Sequence, residues 1–514
     1  MNKSSKFSRR ILFFNSFYNF VGKIIPLLVA FITIPIIIHK MGVDRFGILA
    51  LAWTFIGYFG VFDLGLGRAT TKYTAEYLAL NRREELLSLI WTSWWMLFSL
   101  GILGALAGFL AVPVLIERIL NIPPLLSSEA RQAFMLISIS IPIIFSTAGM
   151  RGVLEAQQRF GLINAISVPA GISNFLAPLP ILFFYNSLVP VVLTTVIIRI
   201  ILWFIFFFFA IRSIPDLIKP RLPSLIYLRS LFSFGSWITV SNMITPIMAN
   251  MDRFFIGSIL TMKDVAYYTT PFDVVSRLSI VSTSIISVLF PAFSASGAVD
   301  RTKLEVIFDH SVRYVFIIMT LLVTVVIILA RPFLNLWIGS EFALQSTAVL
   351  QILALGVLIR TLGDIPYAAI QAIGRPDLTA KLHLLELPFY LGGIFFLIKY
   401  FGIVGVALAW TLRVSLNTAL LYWCVIFLKI IASNILLKNY HFLAIISIVM
   451  ALYIIPSMTM SLNIISSILL IIMSLSILSY IFWRYIITND DKLIILSNIN
   501  NITNALINHC KDRS

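Results

Sequence analysis

The sequence predicts an all-α integral membrane protein with about 14 transmembrane helices. Three observations carry that reading. Apolar residues make up 60% of the 514 residues and charged residues only 12%, with a mean hydropathy of +0.98. A soluble chain of this length needs far more polar surface. Fourteen segments approach or exceed the roughly 20 apolar residues that cross a bilayer. The basic residues between those segments fall predominantly on one side.

The first six spans are Phe13–Ile38, Phe46–Leu66, Leu87–Ile116, Phe134–Met150, Leu162–Tyr185 and Leu188–Ile211. The next six are Leu231–Ile256, Ala266–Phe293, Val312–Ala330, Ala348–Ile373, Ala380–Phe401 and Ile403–Leu428. Tyr440–Met458, short and interrupted by Pro456, and Leu462–Tyr485 complete the set. Lys3, Lys6, Arg9 and Arg10 precede an apolar run from Ile11 to Ile38, as in a signal peptide. The run is too long and lacks a small-residue cleavage site, so it reads as a retained first helix. With a cytoplasmic N-terminus, the inside segments hold 25 Lys and Arg and the outside segments 7. That bias runs the whole chain and puts both termini in the cytoplasm.

The net charge of +16 does not indicate nucleic acid, because the basic residues alternate with apolar spans and form no patch. Cys424 lies in a span and Cys510 in the tail, so there is no disulfide framework. The outside loops are short, Asn186 and Ser187 being nearly the whole of one. That leaves no external domain for a catalytic site and argues against an enzyme. No phosphate-binding glycine loop is present, and the five histidines have no metal-ligand spacing. No cofactor is expected beyond a coupling H⁺ or Na⁺.

Six basic residues fall inside the apolar segments: Lys23, Arg199, Arg253, Arg277, Arg360 and Arg413. A cation at the centre of a spanning helix costs roughly 2.5–3.5 kcal/mol. A chain that keeps several turns them toward a wet cavity, and a cationic cavity suits an anion. Arg199 and Arg413 each lie about eleven residues into their spans, and Arg277 is similarly deep. The alternative for these three is a structural hydrogen bond to a neighbouring helix carbonyl. Arg360 has Asp364 one turn on and can form a local ion pair. Asp252-Arg253 lies near the outer end of span seven, where Arg can snorkel. Lys23 is deep if the first helix starts at Ile11 and an interfacial anchor if it starts at Val21.

Acids are rarer. Asp63 precedes Gly65 and Gly67, and either terminates span two or takes part in ion coupling. Asp273, one turn before Arg277, is a second local pair. Glu386 has no basic partner within a turn and sits near Pro388. A buried carboxylate without a partner can carry a proton, so Glu386 or Asp364 is the expected site of proton antiport, with Na⁺ or the membrane potential alone as alternatives.

The chain repeats itself at about 214–219 residues. Leu154-Glu-Ala-Gln-Gln-Arg-Phe-Gly161 aligns with Ile370-Gln-Ala-Ile-Gly-Arg-Pro-Asp377, each after the fourth span of its half. Asp44-Arg-Phe-Gly47 falls opposite Lys263-Asp-Val-Ala266, and Arg199 opposite Arg413. Two parallel six-helix copies form a transporter architecture with its substrate site at mid-bilayer. The expected domains are an N-lobe over 1–215, a C-lobe over 216–430, an accessory helix pair over 431–487 and a cytoplasmic tail over 488–514.

Phe62-Asp-Leu-Gly-Leu-Gly-Arg-Ala-Thr-Thr-Lys-Tyr-Thr-Ala-Glu76, Arg151-Gly-Val-Leu-Glu-Ala-Gln-Gln-Arg-Phe160, Ala266-Tyr-Tyr-Thr-Thr-Pro-Phe-Asp273 and Leu289-Phe-Pro-Ala-Phe293 carry a family resemblance. From about Phe13 to Leu428 the chain resembles the bacterial Wzx-type polysaccharide (O-antigen repeat unit) flippases of the multidrug/oligosaccharidyl-lipid/polysaccharide exporter superfamily. The resemblance implies a V-shaped, MATE-like bundle of two lobes in the bacterial inner membrane. It also implies an undecaprenyl-diphosphate-linked oligosaccharide as substrate, with a polysaccharide polymerase and a chain-length regulator as partners. Many members have twelve spans; fourteen is closer to the lipid II flippases. The physics agrees, since an Arg fork matches phosphate oxygens. Three rivals stand beside this reading: a peptidoglycan-precursor flippase, a multidrug or cation antiporter with an acid-dominated cavity, and a membrane polymerase or ligase, which needs longer outside loops.

Overall fold

The computed structural model describes residues 25–61, 66–228, 250–286, 301–373, 375–430 and 464–487, with Leu231, Met248, Phe293 and Lys492. Every regular element among them is helical. Lys23, Asp63, span thirteen, most of span seven and the C-terminal tail lie outside the described residues.

In chain order the helices are α1 (Ile25–Met41), α2 (Val43–Val61), α3 (Leu66–Ala79), α4 (Arg83–Val114), α5 (Pro124–Ala156), α6 (Phe160–Leu176), α7 (Pro178–Phe184) and α8 (Leu188–Ser213). Then come α9 (250–259), α10 (Met262–Ser276), α11 (280–286), α12 (Arg301–Trp337), α13 (Ser340–Ala372), α14 (Pro376–Phe427) and α15 (Ile464–Ile481). Among the described residues eight helical stretches are long and apolar enough to cross a membrane, and α14 at 52 residues holds two of the expected spans. The all-helical membrane fold is therefore as the sequence predicts.

The chain divides into two compact units. The first comprises Met1–Thr269 and Ile394–Ile403; the second comprises Thr270–Gly393 and Val404–Ser514.

In the first unit α5 is the central helix, with 61% of its apolar window buried against 22% for α4. Glycine explains how the two approach. A Cβ on Gly101 of α4 would overlap the Pro142 backbone of α5, so only Gly permits this contact. At one end Leu87, Ile90 and Trp91 of α4 pack with Met150 and Val153 of α5 and Phe206 of α8. At the other end α9 and the start of α10 are pinned to α2 and to the turn after α4. The Asn121 amide donates to the Gly257 carbonyl (2.8 Å), the Asn121 side chain to the Ser258 carbonyl (3.1 Å), and Lys263 lies 3.8 Å from Asp44. A Cβ on Gly47 would overlap the Met262 carbonyl.

In the second unit α13 is central, with 72% of its window buried. The second half of α14 runs along it through Thr411 to the Ile352 carbonyl (3.1 Å), Thr418 to Ile359 (3.2 Å) and Tyr422 to Leu362 (3.3 Å). Phe482, just after α15, meets Phe316 of α12 edge to face at 6.0 Å.

The internal repeat has a structural counterpart. α5 and α13 are both 33 residues long and begin 216 residues apart. α6 and α14 begin 216 residues apart as well. Between the helices of each pair the chain makes the same turn. The Arg159 amide bonds the Leu154 carbonyl at 3.1 Å, and the Arg375 amide bonds the Ile370 carbonyl at 3.1 Å. That six-to-one bond is the Schellman closure of a helix end, and Gln158 supplies its left-handed residue at φ 58°.

Candidate functional site

Gly402 has φ 55° and ψ −137°, which no helix accommodates. The contacts on either side show what the chain does there. Asn417 donates to Glu386 at 2.5 Å, and the Arg413 guanidinium lies 4.9 Å from the Tyr390 ring centroid. The two pairs have the same register, symmetric about Gly402. The halves of α14 are thus antiparallel, a helical hairpin turning at a single glycine. Glycine suits the turn because a left-handed φ costs it nothing.

The hairpin brings five polar side chains of the second unit onto one seam. His383, Glu386 and Tyr390 recur at helical spacing on the first half, and Arg413 and Asn417 one turn apart on the second. Glu386 is 2% exposed, and its second carboxylate oxygen lies 3.9 Å from the His383 Nδ1. Neither of these two atoms makes a hydrogen bond among the described residues. The expectation that Glu386 has no basic partner within a turn is corrected: His383 is that partner, one turn earlier.

Arg413 and Arg199 are alike in one respect. Each has its Nε buried with no hydrogen-bond acceptor among the described residues. Arg253 shares the buried Nε without an acceptor, but it and two other arginines spend donors on partners. Arg45 closes on both oxygens of Glu129 at 3.0 and 3.2 Å, Arg253 donates to Thr54 at 2.8 Å, and Arg313 pairs with Asp309. On α8 of the first unit the Trp203 indole N–H, one turn after Arg199, is likewise buried without an acceptor.

The remaining expected residues fall elsewhere. Arg277 opens a 3₁₀ turn (Arg277–Ser279) between α10 and α11, and its side chain is exposed. Arg253 does not snorkel. It is 8% exposed, packed inside the first unit beside Asp252, which accepts from Tyr268 at 2.7 Å. The outer end of span seven is covered by α2 there, so water is not the cheaper partner. The expected Arg360–Asp364 pair is not closed: Arg360 is exposed, and Asp364 accepts from Ser282 of α11 at 2.7 Å instead. The 216-residue offset also sharpens the repeat. Carried into span six, it sets Arg199 opposite Ser415, two residues from Arg413 and on a different helix face.

Sequence reasoning passed over His383, Tyr390, Asn417 and Trp203. A signal for two of them was present: folding the sequence back at Gly402 pairs Glu386 with Asn417 and Tyr390 with Arg413. No group of three or more metal-ligating side chains occurs among the described residues.

Chemically, the seam offers a guanidinium with unspent N–H donors and, one turn away, a buried carboxylate beside an imidazole. The first can bind an anion. The second can hold a proton.

Known proteins place this geometry in a family. The family model "Polysaccharide biosynthesis protein" matches residues 12–296. A "Putative O-antigen transporter" of Shigella flexneri is 29% identical over 80% of this chain and 96% of its own length. The "Lipopolysaccharide biosynthesis protein WzxC" of Escherichia coli strain K12 is 24% identical over 68% of this chain and 69% of its own length. Among solved structures, the lipid II flippase MurJ in an inward closed conformation superposes with a TM-score of 0.70 at 15% identity, covering 93% of this chain and all of its own. An inward-facing multidrug resistance MATE family transporter of the MOP superfamily reaches 0.65 at 14% identity, covering 82% of this chain and 99% of its own. These two likenesses establish the fold. The match over more than half of the sequence establishes the family, and the chain belongs to the polysaccharide biosynthesis proteins.

Proposed function

We propose that this protein is a flippase that carries undecaprenyl-diphosphate-linked oligosaccharide, the repeat unit of O-antigen or another surface polysaccharide, across the bacterial cytoplasmic membrane by alternating access. The single observation that carries the reading is Arg413, a guanidinium deep in an apolar hairpin with its Nε buried and no acceptor. A family concerned with polysaccharide synthesis gives that donor a reason, because its lipid-linked intermediates carry phosphate. Arg199 is a buried donor of the first unit, and Arg277 and Arg360 are exposed cations of the second. Arg253 is held by Thr54 and contributes packing.

The protein sits in the inner membrane with both termini cytoplasmic, in lobes 1–215 and 216–430 with an accessory pair and a tail, and catalyses no reaction. Its partners are membrane lipids, a polysaccharide polymerase and a chain-length regulator. Transport is coupled to ion flow, with the Glu386–His383 pair as the proton site. Asp364, which accepts from Ser282 and has no imidazole beside it among the described contacts, is the second choice.

Deletion of the gene tests the function. Undecaprenyl-linked repeat units should accumulate facing the cytoplasm while surface polysaccharide disappears; normal surface polysaccharide in the deletion strain overturns the proposal. Complementation of a strain depleted of its peptidoglycan-precursor flippase distinguishes the lipid II reading. In the deletion strain Arg413→Ala and Arg199→Ala should each cut export at least tenfold while membrane levels stay normal, and full export by both makes these arginines structural.

A further inference from the structure

We propose that Tyr390 is a positioning residue for Arg413: its ring is the platform that fixes the guanidinium while leaving the N–H edge open to an anion. The proposal rests on the reading of Arg413 as the diphosphate site and adds a residue to it.

A guanidinium can be held in two ways. A carboxylate holds it by the edge and uses the donors, as Glu129 does for Arg45 with two bonds. An aromatic ring holds it by the face and uses none of them. Arg413 is held in the second way. Its Cζ lies 4.9 Å from the Tyr390 centroid, and its buried Nε donates no hydrogen bond among the described residues. Tyr390 is itself 3% exposed, so the platform is rigid.

The neighbouring rung explains why a carboxylate does not compete. Glu386 is one turn from Tyr390 on the same helix face, close enough in principle to capture an arginine. Its first oxygen is taken by Asn417 at 2.5 Å, and its second faces His383 at 3.9 Å. Asn417 lies one turn after Arg413, so the amide stands between the acid and the cation along the helix. The seam thus keeps acid and base on adjacent rungs without pairing them. Gly402 maintains that register by fixing where the hairpin turns.

The test uses purified full-length protein in detergent, with farnesyl diphosphate as the probe and calorimetric titration as the readout. Tyr390→Phe keeps the ring and should bind within twofold of the parent. Tyr390→Leu removes the ring and should weaken binding roughly five- to thirtyfold, the range for a desolvated cation–ring contact. Tyr390→Met serves the same purpose should the leucine variant misfold. Arg413→Ala should weaken binding at least as much. Rescue by phenylalanine is the outcome a merely structural tyrosine hydroxyl does not give; equal loss in the Phe and Leu variants overturns the platform. Binding like the parent by the Leu and Met variants, with Arg413→Ala weakened, overturns the role of Tyr390 and leaves the arginine site standing. If the parent fails to bind the probe, or Arg413→Ala binds it unchanged, both readings fall.

Discussion

Glu129 shows what an arginine does when its charge is only structural. It binds Arg45 by two bonds and also accepts from the Leu188 amide at 3.0 Å, stitching the start of α8 to α2 and α5. Glu129→Ala strands a part-buried guanidinium and a helix-end amide together. We expect a loss of roughly 1–2 kcal/mol, read as a lower thermal midpoint of the purified protein, with export per folded molecule unchanged. Glu386 should behave in the opposite way. Glu386→Gln preserves size and can still bond Asn417, so the fold should hold. It removes the dissociable proton facing His383, and export from reconstituted vesicles should cease to respond to an imposed pH gradient. A retained response in this variant rules Glu386 out as the coupling site and moves the assignment to Asp364.

At the scale of elements, two glycines set geometry that no other residue can. Gly402 reverses the chain within α14 at φ 55°, and the Glu386–Asn417 and Tyr390–Arg413 rungs depend on that turn. Gly402→Ala imposes a left-handed residue with a Cβ, at a cost of about 1–2 kcal/mol, and should lower both thermal stability and farnesyl diphosphate binding. Gly47 works by contact, not by φ. Its missing Cβ lets the Met262 carbonyl approach α2. Gly47→Val must push α10 away, at roughly 1–3 kcal/mol, and should make cysteines placed at Asn121 and Ser258 harder to cross-link. Unchanged cross-linking there would mean that the contact yields without moving the helix. The eight spanning stretches were legible because an apolar run of bilayer length has few alternatives in lipid. The hairpin within α14 was legible only as two abutting spans; that they fold back rung against rung depends on one φ value.

At the scale of the whole molecule, the charge bias along the chain predicts an orientation with both termini cytoplasmic. Cys424 is buried and Cys510 lies in the tail, which makes a native probe of topology. With Cys424→Ala, an impermeant maleimide should label Cys510 in inverted vesicles and not in intact cells; the reverse pattern would overturn the cytoplasmic C-terminus. The repeat, faint in the sequence, is firm in helix lengths and turns because backbone geometry persists after side chains diverge. By itself the sequence determined the membrane class, the helical character and the presence of cations within apolar segments, since each follows from hydropathy and charge counted along the chain. Only the tertiary structure separated the arginines. Arg253 is bound to Thr54, 199 positions away, Arg360 is exposed and closes no ion pair with Asp364, and Arg413 lies on the face of Tyr390. The physical reason is that burying a cation has a cost set by depth, which the sequence records. What offsets it is a partner across a helix contact, and that contact exists only once the helices have packed.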